Sequence, residues 1–170
     1  MMKINQRIQN REEMKANCSN CFALCCTALN IIASSDFRMN KAAGVPCVNL
    51  QENFGCSIHP SLREKGFKGC TVYDCLGAGQ YVSQQIFKGQ DWRNYPENAS
   101  AMYQVFPIVE QLFEIKAFLL EALTYDLSSQ LHQEITLQLN ALEETLERGV
   151  EEIGKMDLSF YRAPIGVLLA

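Results

Sequence analysis

Eight cysteines lie between Cys18 and Cys75, and none follows. They run Cys18-x2-Cys21-x3-Cys25-Cys26, then Cys47-x8-Cys56, then Cys70-x4-Cys75. Cysteine is a modest core residue but a strong soft ligand, so a block this dense points to a metal site or a disulfide framework rather than packing alone. The start, Met1-Met2-Lys3-Ile4-Asn5-Gln6-Arg7, carries no apolar secretory stretch behind it. Export is therefore not supported, and a cytoplasmic chain is expected. In a reducing compartment disulfides are rarely kept, while thiolates remain available to metals.

Cys18, Cys21 and Cys25 follow i, i+3, i+7, which sets three sulfurs on one face if the segment is helical, with Cys26 flanking it. A Cys-x2-Cys knuckle brings two sulfurs to one ion at Zn–S distances of about 2.3 Å. Adjacent cysteines have diverging Cβ vectors, so Cys25 and Cys26 more naturally serve two ions, or one ion and one structural role. Eight sulfurs make two tetrathiolate sites, one four-cysteine iron–sulfur cluster with four to spare, or a compact site with bridging thiolates. Tetrahedral sulfur suits zinc and iron alike.

Length, composition and charge narrow the class. At 170 residues, with 48% hydrophobic and 20% charged content, the chain can bury a real core. No run reaches the roughly 20 apolar residues needed to span a bilayer. The net charge of −4 is uneven: residues 1–75 carry nine Lys/Arg against six Asp/Glu, and the remainder six against thirteen. The acidic balance argues against nucleic-acid binding. In the basic half, Arg63, Lys65 and Lys68 stand among the cysteines, and a cation nearby favours the thiolate.

Around the cysteines the chain is rich in turn residues, among them Gly44, Pro46, Gly55, Pro60, Gly66, Gly69, Gly77 and Gly79. Loops of that kind need a cross-link. Ahead of them, Ile4 and Ile8 suggest a short helix within residues 1–17; behind them, residues 81–91 read as a linker or short element. Asn94 and Glu97, with Pro96 between, have the look of a helix start. Pro107 should kink or restart that helix. From Ile108 to Leu127 apolar residues nearly encircle the axis, which predicts the most buried helix. Ser128 or Ser129 can cap the next, where Leu131, Ile135, Leu139, Leu142, Leu146, Val150 and Ile153 form one stripe ending at Gly154. An apolar tail, 157–170, follows.

The series continues with Leu50, Ile58, Arg63 and Tyr73 standing between the later cysteines. In order and number it resembles the YkgJ-like zinc- or iron-chelating cysteine-rich domain, marked by a CxxCxxxCC opening and eight cysteines. A broader likeness, through Asp74-Cys75-Leu76-Gly77-Ala78-Gly79-Gln80 and Asp91-Trp92-Arg93, is similar to the N-terminal region of bacterial pentapeptide-repeat proteins. The resemblance implies that Cys18, Cys21, Cys25, Cys26, Cys47, Cys56, Cys70 and Cys75 are metal ligands, with zinc or iron, or an iron–sulfur cluster, as cofactor.

His59 could replace a sulfur, although a loop histidine beside Pro60 is the simpler reading. Asp74 can orient a ligand or cap a turn. Gly77-Ala78-Gly79-Gln80 lacks the third glycine of a dinucleotide fingerprint and reads as a sharp turn. No catalytic residue can be argued from spacing. The expectation is a mostly α protein: a cysteine-rich, loop-rich metal-binding region over residues 1–80, packed on a C-terminal helical hairpin within 81–170. The ion would be structural. Alternatives are an iron–sulfur redox or enzyme component, and an interaction protein docking a partner through its acidic C-terminal helix or apolar tail.

Overall fold

The computed structural model describes residues 14–169, so the short helix expected around Ile4 and Ile8 lies outside the described residues. The chain is mostly helical, with no strand among the described residues. A 3-10 turn at Cys18–Asn20 precedes α1 (Leu24–Thr27). A long irregular segment follows, interrupted by a 3-10 turn at His59–Ser61 and α2 (Lys68–Val72). Next come α3 (Ala78–Gln80), which continues as one wide π-helical stretch, Tyr81–Ile86, and a 3-10 turn at Pro96–Asn98. The helical half comprises α4 (Ala99–Ala122), α5 (Ser129–Leu146), α6 (Val150–Gly154) and α7 (Ser159–Leu168).

The central helix is α4. Met102, Val105, Phe106, Val109, Leu112 and Leu119 on it are essentially without solvent contact. Burial of each such side chain contributes about 1.5–3 kcal/mol, so this helix organises the core. It runs unbroken through Pro107, where a kink or restart was expected. Phe118, expected among the buried residues, is 56% exposed. Helices α4 and α5 form the hairpin, with α6 also on α4 and α7 against α5.

Ser128 caps α5 by accepting a hydrogen bond from the Leu131 N–H at 3.3 Å. The stripe does face inward: Ile135, Leu139, Leu142, Leu146 and Ile153 are all buried. It is, however, carried by two helices rather than one. Gly149, with extended backbone (φ −65°, ψ 158°), separates α5 from α6. Asn94 does not cap α4; its side chain bonds Asp91 instead, and Pro96 and Glu97 form the 3-10 turn that leads in. Of the two readings of residues 81–91 the short element is the one observed, Tyr81–Ile86, with Val82 and Ser83 buried against the core.

Candidate metal centre

The first three cysteines do not share a helix. Cys18 lies in the 3-10 turn, whereas Cys25 and Cys26 lie in α1. Between them Ala23 adopts a left-handed conformation, φ 55°, which an alanine tolerates poorly. That kink ends one turn and starts the next. The sulfurs are therefore gathered by a bent loop, not aligned along a helical face.

Backbone hydrogen bonds bring Cys47 back to α1 and link Cys56 to Cys47 through Leu50. The Cys47 N–H donates to the Cys26 carbonyl at 2.9 Å, and the Leu50 N–H to the Cys47 carbonyl at 3.0 Å. Leu50 pairs with Cys56 in an isolated antiparallel bridge. Cys75 precedes a sharp turn in which Leu76 (φ 52°) and Gly77 (φ 94°) are both left-handed. Asp74 secures that turn by accepting from the Leu76 N–H at 2.8 Å, which is the capping role expected of it.

Gly79, the first-turn residue of α3, is a close-approach position. A Cβ there would stand 2.7 Å from Cys21 Sγ and 3.6 Å from Cys75 Sγ. The missing side chain thus leaves a cradle between two sulfurs from opposite ends of the cysteine block. Cys25 Sγ and Cys26 Sγ are 3.9 Å apart. In a tetrahedral zinc–thiolate centre with Zn–S of about 2.3 Å, sulfurs stand about 3.8 Å from one another. All eight thiols are free, with Cys18 and Cys70 exposed and the others half-buried. Among the described residues, no three Cys, His, Asp or Glu side chains are drawn into a closed ion-binding group. The donor chemistry of Cys21 and Cys75 beside Gly79 would suit a thiophilic ion.

Electrostatics tie the thiols to one another. Burial pushes Cys21 up to about 11, with the neighbouring Cys75 adding to it. Burial likewise raises Cys70 to about 11, joined by Cys26, Cys47 and Cys56. Cys56 is raised by burial, then by Cys26 and Cys47; Cys18 is raised by burial, then by Cys75, Cys26 and Asp74. The Cys25–Cys26 hydrogen bond holds Cys25 well above the usual thiol value and lowers Cys26 to about 7.

A cation missed in the sequence also acts on Cys26. Lys41 is 4% exposed, and its ammonium donates to the carbonyls of Thr27, Leu29, Ala42 and Val45. Burial pulls its pKa down while Cys47, Cys26 and Cys25 push it up. The cations singled out by spacing are used elsewhere: Lys68 pairs with Asp36 at 3.3 Å, and Arg63 donates to Thr71. A carbonyl cage around Lys41 distinguishes it, and because half of that cage comes from Thr27 and Leu29 on the earlier turn it leaves no signature at fixed spacing in the chain.

An aromatic latch docks these loops on α4. Phe22, Phe54, Trp92 and Tyr103 stack in sequence with centroids 5.5, 5.7 and 5.9 Å apart. Trp92 Nε1 donates to the Phe22 carbonyl at 2.8 Å. Arg93 lies over Phe54 and Trp92, 4.6 and 4.8 Å from their centroids, and donates to the Gln51 carbonyl. Phe54 itself is left-handed, φ 63°, a strained state for a bulky residue that this stacking holds in place. A second tie joins the Tyr73 hydroxyl to the Glu110 carboxylate, whose pKa is raised chiefly by burial. Trp92 is thus partly buried and packed against the core.

No described helix is long and apolar enough to cross a membrane. No family model matches the chain, and no solved structure matches it. The chain is similar to a curated Bacillus subtilis (strain 168) protein named "Uncharacterized protein YybG", with 44% identity over 153 residues. The matched region is 90% of this chain and 55% of that relative, so the chain spans little more than half the length of the protein it resembles.

Proposed function

We propose that the chain is a thiolate metal-binding module of the cytoplasm, in which zinc or iron held by the cysteines cross-links the loops and fastens them to the helical hairpin. The observation that carries this reading is mutual proximity: thiols from distant stretches raise one another's pKa, and two of them flank the cradle at Gly79. Apart from the Phe54 latch and the Lys41 cage, the segment between α1 and α3 has few buried residues to hold it. Of its residues only Ala28, Lys41, Leu62, Phe67 and Gly77 are buried. A structural ion supplies folding free energy on the order of 10 kcal/mol in small zinc peptides, ample to offset what such loops lack. The resemblance of the cysteine series to YkgJ-like chelating domains supports the same reading.

Docking of a partner through the acidic helix or the apolar tail is the second reading, favoured by Phe160 and Val167, which stand exposed on α7. The test is metal analysis of protein purified without oxygen, followed by chelation. The expected result is stoichiometric zinc or iron and a large fall in melting temperature on its removal. A chelator that leaves the melting curve unchanged refutes a structural ion.

A further inference from the structure

A cleft of about 480 Å³ opens between the π-helical stretch, α4 and α5. Its walls carry the rings of Tyr81 and Phe113, 5.3 Å apart, and its charge comes from Lys116, Glu143 and Glu147. Lys116, with a side chain only 13% exposed, is paired with Glu143 at 2.9 Å. Glu147 has no cation paired with it among the described residues. The cleft therefore keeps a surplus of negative charge. The Tyr81 hydroxyl feels it, being raised by burial first and then by Glu147 and Glu143. Around Glu147 the chain is acidic, with Glu143, Glu144, Glu151 and Glu152 set against Arg148.

Met14 belongs to the same wall and is 8% exposed. The residues after it are stitched to that wall as well. Gln80 Nε2 donates to the Lys15 carbonyl at 2.7 Å, and its Oε1 accepts from the Asn17 N–H at 2.8 Å. Gln84 Nε2 donates to the Asn20 carbonyl at 2.9 Å. Residues 1–13 are thus joined to the fold at the cleft itself, and their sequence is complementary to it. Lys3, Arg7 and Arg11 recur every fourth position with no acidic residue before Glu12, and Ile4 and Ile8 directly follow two of those cations. Opposite charge favours approach, and apolar side chains gain by leaving water for aromatic walls. Attachment favours this occupant over a separate one, because a short tether gives an effective concentration in the millimolar range. A contact too weak to hold a free peptide then suffices.

We infer that the cleft is the docking site of the chain's own residues 1–13, with Glu143 and Glu147 facing the cations and Tyr81 and Phe113 the isoleucines. Gln80 and Gln84 fix the stretch from Lys15 to Asn20, and the docked segment fixes the end that enters it. The first cysteines are then positioned before any ion arrives, so the inference does not depend on the metal-binding reading. The competing occupants are a basic segment of another protein and the same segment of a second copy.

Nuclear Overhauser contacts in the full chain, kept reduced, decide among them. Labelled wild-type protein should show contacts from the Ile4 and Ile8 methyls to the ring protons of Tyr81 and Phe113. A mixture of labelled and unlabelled chains, filtered for contacts between chains, should show none of these. Their absence from the labelled chain overturns the proposal and leaves the cleft to a separate partner. Their appearance between chains assigns the cleft to a second copy and overturns it too. Charge reversal gives a second measure. Arg7→Glu with Arg11→Glu should speed amide exchange over residues 15–20 by about two- to fivefold, the range expected of an exposed ion pair. Adding Glu147→Arg should restore the wild-type rate. A reversal without effect, or one that Glu147→Arg does not rescue, overturns the proposal.

Discussion

Replacing Gly79 by alanine pits helix propensity against the metal centre. In an ordinary helical position the change stabilises by roughly 0.5–1 kcal/mol, because glycine loses more backbone freedom on folding. Here the new methyl carbon would stand 2.7 Å from Cys21 Sγ. Contacts between carbon-sized atoms are optimal at about 3.5–4.0 Å, so the sulfur must retreat by about 1 Å. Forced overpacking costs about 1–3 kcal/mol, which leaves the metal-free chain between unchanged and about 2.5 kcal/mol less stable. The ligand geometry is far less forgiving, since metal–ligand distances are held within about 0.2 Å.

Gly79→Ala should therefore lose zinc to a competing chelator at least tenfold more readily than wild type. The contrast is Gly166→Ala in α7, where an added Cβ meets nothing within 4 Å. That variant should gain up to about 1 kcal/mol and keep wild-type zinc affinity. The assay is a competitive zinc titration beside a urea melt. Wild-type affinity in Gly79→Ala would refute the placement of Cys21 and Cys75 on a common ion.

Lys41→Met should lower stability by about 2–4 kcal/mol. Hydrogen bonds to a charged donor contribute about 1.5–3 kcal/mol each, but the Thr27 carbonyl keeps its bond from the Gly44 N–H and the more exposed carbonyls rehydrate. Lys41→Arg should not rescue it, since a planar guanidinium cannot replace a compact ammonium among four carbonyls; a urea melt of each variant decides. Trp92→Phe should cost about 1–3 kcal/mol by orphaning the Phe22 carbonyl while keeping most of the stacking, read from the same melts. Zinc affinity should fall with acidification. The thiols of Cys56 and Cys70 are raised above 9.0, so at pH 7 they bind protons that an incoming ion must displace. At least two protons should leave per ion, rising in number with the Cys18, Cys21 and Cys25 thiols, and calorimetry in buffers of differing ionisation enthalpy counts them. A pH-independent affinity would contradict the raised values.

The helical half was the more legible part of the chain because its signals are local. The Leu131 to Ile153 stripe and the Ser128 cap are written at fixed spacings, and both occur where expected. The break at Gly149 was hidden because the apolar spacing continues across it. Helix α4 passes Pro107 because a core on nearly every side of it outweighs one missing hydrogen bond. In the cysteine block, spacing suggested a helical face, but Ala23 turns left-handed between Cys21 and Cys25. Nothing in an alanine announces that; the surrounding packing imposes it. Gly79 was legible only as a flexible turn residue, since its use as a gap between sulfurs depends on chain segments far away in sequence. The latch of Phe54, Trp92 and Arg93 was invisible for the same reason.

The cage around Lys41 has an electrical consequence. Carbonyl dipoles solvate an ammonium without cancelling it, so the positive charge of Lys41 is carried indoors with no carboxylate paired to it among the described residues. Dissolved salt reaches such a charge poorly, unlike the solvent-facing Lys68–Asp36 pair. The interior consequently holds a standing preference for anions beside α1, and the loop around Lys41 is most comfortable when its sulfur neighbours have given up their protons.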